Sequence, residues 1–217
     1  MDISNGNILS SVSYPDYNPE NKNTYLDKNL LNRVIQSNFE MGSTFKPITA
    51  TIGYDLNIIE PEMTFDVKNK FKGIGDHDKF KDNGVYNIEK IIVESSNIGT
   101  AQIATLIGKQ NQINFFKKLG FNNRINIEIK EAAKPLGNKN NWGSIETATI
   151  GFGHGYSVTP LHLLKAYGTL SNQGVEVEPT LLLNKKNNNK KNKIFNKFNS
   201  SNFFFKFIKI SNYKNRI

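Results

Sequence analysis

Pro47 pins a helix start close to itself. With no N–H to donate, a proline is tolerated in the first turn of a helix and penalised deeper in. The segment Phe39-Glu40-Met41-Gly42-Ser43-Thr44-Phe45-Lys46-Pro47 therefore puts the start near Ser43, with helix running through Thr51 or beyond. Ser43 and Lys46 then stand three apart on one face, with Cβ atoms roughly 5–6 Å apart, so the Lys46 amine can reach the Ser43 hydroxyl. That hydroxyl also lies at the positive end of the helix dipole, beside backbone N–H groups. A serine nucleophile needs these parts: a base in reach and donors for a developing oxyanion. The same residues also fit a plainer role, a capping serine and a solvated lysine. Ser-x-x-Lys is expected about once by chance in a chain of this length, and Ser211-Asn212-Tyr213-Lys214 is a second copy. Context has to decide.

The context is two further elements. The first is Glu94-Ser95-Ser96-Asn97-Ile98-Gly99-Thr100-Ala101. Here the Ser95 hydroxyl can relay protons, and the Asn97 amide offers donors and an acceptor to a peptide group. Serine and asparagine also suit an ordinary turn or cap, and Ser200-Ser201-Asn202 repeats the tripeptide. The second is Ile150-Gly151-Phe152-Gly153-His154-Gly155-Tyr156-Ser157-Val158-Thr159-Pro160-Leu161. Its glycines are not spaced Gly-x-Gly-x-x-Gly, so it does not read as a phosphate loop. His154, with His77 and His162 elsewhere, forms no Glu-x-x-His or His-x-x-x-His pair, so no metal site is expected.

The net charge of +9 points to an acidic partner until its distribution is examined. Residues 184–217 hold ten of the 28 basic residues and no acidic ones, leaving 18 basic against 19 acidic residues, a net of −1, in 1–183. That 34-residue tail uses only Lys, Arg, Asn, Phe, Ile, Ser and Tyr, a low-complexity composition expected to be disordered or to arise from a frameshift in AT-rich coding sequence. The 217 residues then read as one domain, 1–183, followed by the tail. Without cysteine there is no disulfide framework. No apolar run approaches the roughly 20 residues that span a bilayer, and Met1-Asp2-Ile3-Ser4 opens no signal peptide, so the chain as written is expected to carry no anchor.

Along the body, 8–13 reads as a strand after an Asn5-Gly6 turn, 18–30 as polar loop, and 68–84 as loop with short extended pieces. Helices are expected over 88–93, 98–107, 111–119 ended by Gly120, and 159–170 opened by Thr159-Pro160. Strands and helices mixed in this order point to α+β or α/β layering.

In this order and at this spacing the three elements resemble the transpeptidase domain of the class B penicillin-binding proteins, most closely the septal, cell-division type. The resemblance runs from about Met1 to about Leu183. It implies an α+β fold, β-lactamase-like, with helices around an antiparallel sheet. The fold would be incomplete, because the chain has no Lys-Thr-Gly and the strand carrying that motif lines the family's cleft, binds the substrate carboxylate and gives the second oxyanion N–H. The implied activity is peptidoglycan D,D-transpeptidation, weak or lost here. Ser43 would be the acyl-accepting nucleophile, Lys46 its base, Ser95 a proton relay and Asn97 the holder of the acyl amide. For Lys46 to act at neutral pH its proton affinity must fall by desolvation or nearby positive charge, and the resemblance implies such a buried site. No cofactor or metal is implied. The implied partners are peptidoglycan stem peptides, β-lactams as covalent inhibitors and division-complex membrane proteins, at the periplasmic face of the inner membrane. Two alternatives stay open. One is another serine acyl-enzyme, a D,D-carboxypeptidase or β-lactamase, for which no deacylating glutamate stands out. The other is a non-enzyme whose basic tail binds nucleic acid or acidic lipid, although no recognisable nucleic-acid module is present.

Overall fold

The computed structural model describes residues 1–77, 84–137, 142–183 and 192–196. Short helices α1 (Asp27–Leu30) and α2 (Arg33–Gln36) lead to strand β1 (Phe39–Glu40), a 3-10 turn at Gly42–Phe45 and helix α3 (Lys46–Asp55). Strands β2 (Thr64–Asp66) and β3 (Val85–Asn87) follow, then helices α4 (Ile88–Val93), α5 (Asn97–Ile107) and α6 (Lys109–Lys118). Strand β4 (Leu136–Gly137), helix α7 (Ser144–Ile150), strand β5 (Tyr156–Val158) and helix α8 (Pro160–Ser171) complete the order. Strands β1, β5 and β4 form an antiparallel sheet in that order, with Phe39 opposite Val158 and Gly137 opposite Tyr156; β2 and β3 pair separately. This is the expected α+β organisation.

Helix α5 lies at the centre. Ile98, Ala101, Ile103, Ala104 and Ile107 point in several directions around it and are all 2% exposed or less, the mark of a helix enclosed by its neighbours. Helices α3 and α7 pack on it. Beside them, Phe45, Phe116, Phe121, Trp142 and Tyr156 form an aromatic cluster with edge-to-face and tilted contacts, Phe45 lying 5.8 Å from Phe116 and 5.6 Å from Phe121 between ring centroids. Phe45 thereby anchors the 3-10 turn that carries Ser43.

Most helices begin where the sequence places them. Thr159 caps α8, accepting from the His162 N–H, and Pro160 occupies its first turn. The helix expected from 111 starts instead at Lys109, because Gly108, at φ +77°, breaks it from α5. The helix expected from Ser43 opens as a 3-10 turn and becomes regular at Lys46, a common form for a first turn. The strand expected over 8–13 does not form. Asn7 makes an isolated bridge to Thr180, and Leu9 and Val12 are 74% and 81% exposed, so no strand among the described residues covers them.

The end of the body also differs from expectation. Past Leu183, residues 192–196 pack on the segment after α8: Val175 bridges Lys193, and the Ile194 N–H donates to the Gly174 carbonyl at 2.8 Å. Ile194 and Phe195 are buried, and Phe195 stacks on Phe115 at 5.4 Å. The copies of the motifs at Ser200 and at Ser211 and Lys214 lie outside the described residues.

Candidate active site

The turn between α4 and α5 is a Schellman closure with an unusual occupant. The Ser96 N–H bonds the Ile91 carbonyl at 2.9 Å and the Ser95 N–H the Ile92 carbonyl at 3.2 Å, with Ser95 in the left-handed region at φ +54°. Glycine is the usual residue there, since a side chain in that region is strained. Here the strained residue carries a hydroxyl that points at the start of α3.

That hydroxyl joins the two halves of the Ser-x-x-Lys element. The Lys46 ammonium donates to the Ser95 carbonyl and, at 2.8 Å, to Ser95 Oγ; Ser95 Oγ lies 2.9 Å from Ser43 Oγ. Sequence spacing alone predicts direct reach from Lys46 to Ser43. The hydrogen bonds that link them instead run through Ser95. Lys46 is 2% exposed, whereas Ser43 and Ser95 face solvent. Burial draws the Lys46 amine down to about 8, against the opposing pull of the Asp76 carboxylate. A hydroxyl in solvent is thus wired to an amine beneath it that sheds its proton within reach of neutral pH.

Asn97 is the first residue of α5, and its side-chain amide lies at the outer hydrogen-bond limit, 3.5 Å from the Gly75 carbonyl. The glycine-rich segment supports Ser43 from the other side. The Gly42 N–H bonds the Gly153 carbonyl at 3.2 Å, and a Cβ added at Gly153 would lie 2.2 Å from the Gly42 carbonyl oxygen. Only glycine permits this approach, and at φ +84° it also supplies the required backbone. His154 Nδ1 lies 3.1 Å from Glu40 Oε2, and the Gly155 N–H donates to Glu40 Oε1 at 2.9 Å, clasping β5 to β1.

Two residues behind the site escape sequence reading. Asp76 accepts from the N–H groups of Asn97 and Ile98, the latter at 3.0 Å, and from Ser96 Oγ at 2.6 Å. It comes from the polar stretch 68–84, where nothing in the residue pattern singles it out. Tyr167 of α8 donates to the Thr44 carbonyl at 2.7 Å, beside Ser43; its place in a regular apolar helix gives no signal of that.

A buried lysine, a serine in the left-handed region and an exposed serine, joined by hydrogen bonds, form the candidate site. The family model described as penicillin binding protein transpeptidase domain matches residues 1–202. The chain therefore belongs to the penicillin-binding-protein transpeptidase domain family. A probable peptidoglycan D,D-transpeptidase FtsI from Caulobacter vibrioides is 36% identical over 180 residues, covering 82% of this chain and 30% of the relative. The FtsI transpeptidase of Escherichia coli strain K12 is 26% identical over 180 residues, covering 81% of this chain and 30% of its own length. The chain thus spans under a third of these curated relatives. The transpeptidase domain of Burkholderia pseudomallei penicillin-binding protein 3, solved without ligand, superposes with a TM-score of 0.76 at 27% identity, over 90% of this chain and 56% of that one. The family match continues past Leu183, where the motif resemblance ends, and so takes in the packed residues 192–196.

Proposed function

We propose that this chain carries the nucleophile half of a peptidoglycan D,D-transpeptidase site. Ser43 is the nucleophile, Lys46 its base, Ser95 the relay between them and Asn97 the residue that holds the substrate amide. The observation that carries the reading is the run Ser43 Oγ to Ser95 Oγ to Lys46 Nζ, at 2.9 and 2.8 Å, ending on a buried amine. While Lys46 is charged, its N–H bonds point toward Ser95. Once it is neutral, the hydroxyl protons can turn and the same run carries the Ser43 proton inward. Ser43 Oγ then attacks the carbonyl of the penultimate D-alanine of a stem peptide. A C–O bond forms, the C–N bond to the terminal D-alanine breaks, and that amine leaves with the proton Lys46 had taken. An amine of a second stem takes the acyl group and returns the hydroxyl to Ser43. The peptidoglycan D,D-transpeptidase names of the relatives support cell-wall cross-linking, and the penicillin-binding family supports β-lactams as covalent mimics of the stem peptide; the proposed setting is septal synthesis at the periplasmic face of the inner membrane.

Acylation is expected to be slow, because the chain holds no Lys-Thr-Gly and loss of one oxyanion donor lowers rates by roughly 100- to 1000-fold. Long incubation with a fluorescent penicillin, followed by peptide mass spectrometry, tests the reading. The adduct is expected on the peptide holding Ser43 and absent in Ser43→Ala. An adduct on Ser211, or one that persists in Ser43→Ala, contradicts it.

A further inference from the structure

We propose that Asp76 is a positioning residue for this site, holding Ser95 and Asn97 in place with its two carboxylate oxygens and setting a negative charge beside Lys46. The inference rests on the reading of Ser43 and Lys46 as nucleophile and base. The N-terminus of α5 leaves its first N–H groups without helical partners. Asp76 Oδ1 takes those of Asn97 and Ile98, while Ser96 Oγ takes that of Gly99 at 2.9 Å and donates to Asp76 Oδ2 at 2.6 Å. One carboxylate from a distant loop therefore fixes residues 96, 97 and 98, and with them the side chains on either side of Ser96. Ser95 is where that order is needed most, since its left-handed backbone is held against strain only by its surroundings. The same carboxylate is the charge acting on the Lys46 ammonium, which it stabilises. The adjoining titratable side chains, His77 and Glu94, are exposed. Asp76 thus links two properties of the site, the direction of the Ser95 hydroxyl and the pH at which Lys46 becomes a base.

Two measurements on the full chain separate these roles from simple fold support: the titration midpoint of Lys46, followed by NMR of its 13C-labelled ε-carbon and assigned with Lys46→Met, and the rate of Ser43 labelling by fluorescent penicillin. In Asp76→Asn the midpoint is expected to fall by on the order of one pH unit, because a stabilising opposite charge is gone. Labelling at high pH is expected to drop roughly 10- to 100-fold through misplacement of Ser95 and Asn97. Asp76→Glu keeps the charge, so its midpoint is expected to stay at the native value while labelling still falls. An unchanged midpoint in a folded Asp76→Asn overturns the electrostatic role, and unchanged labelling in either variant overturns the positioning role. If Asp76→Asn does not fold, Asp76→Glu decides: a midpoint lowered despite the retained charge overturns the inference. Should the native chain fail to label Ser43 at all, the transpeptidase reading falls, while the Lys46 midpoint still tests Asp76.

Discussion

At the scale of single residues the site is governed by one buried amine. Lys46 is 2% exposed, and its affinity for a proton falls because the folded protein desolvates the charge. Thermodynamic linkage turns that into a stability effect with a definite sign. The amine titrates near 8 in the folded chain and near 10.5 when free, so between those values the unfolded chain binds more protons and stability rises with pH. Read downward, that contribution is lost as pH falls through about 8. Buried Tyr156 and half-buried Tyr167, both pushed up to about 12 by loss of solvation, act in the opposite sense from pH ~10 upward. Urea denaturation from pH 8 to 10 is therefore expected to show a gain of roughly 1–2 kcal/mol that vanishes in Lys46→Met. A gain of equal size in that variant would assign the effect elsewhere.

At the scale of elements, the proposed catalytic residues lie where regular structure stops. Ser43 sits in the 3-10 turn before α3, and Ser95 at the left-handed closing position of α4. A glycine would suit that position better, so Ser95→Gly is expected to leave the melting temperature equal or to raise stability by up to ~1 kcal/mol while labelling of Ser43 falls sharply. Equal labelling would show that Lys46 serves Ser43 without Ser95. The elements themselves were largely legible in sequence: Pro47 and Pro160 mark helix starts, Thr159 a cap, and the apolar spacing of 98–107 a buried helix. What sequence could not supply was contact between distant segments. Spacing put Lys46 against Ser43, three residues away, but the bonds run to Ser95, 49 residues on. Asp76 was invisible for the same reason, because its importance lies wholly in the helix terminus it meets. The strand expected over 8–13 failed because local residue preference does not supply a neighbouring strand to pair with.

At the scale of the whole molecule, the chain brings three segments together around α5 and closes the arrangement with residues far from them. The low-complexity composition after Leu183 reads as a tail, yet Phe195 is fully buried and stacks on Phe115. Composition reports which residues a segment contains, not whether two of them find a pocket. Phe195→Ala is expected to destabilise the chain by ~3–5 kcal/mol, seen as an earlier urea transition; a loss under about 0.5 kcal/mol, the scale of surface substitutions, would place the segment outside the cooperative fold. On the proposed reading, the assembly puts a proton acceptor under Ser43. The most direct test is the rate of Ser43 acylation by penicillin against pH, in the native chain and in Lys46→Arg. The native rate is expected to rise through a midpoint near 8, and Lys46→Arg, which keeps the charge but cannot release its proton, is expected to label as poorly as Lys46→Ala. A native rate that does not change with pH, or a substantial rate in Lys46→Arg, would contradict Lys46 as the base.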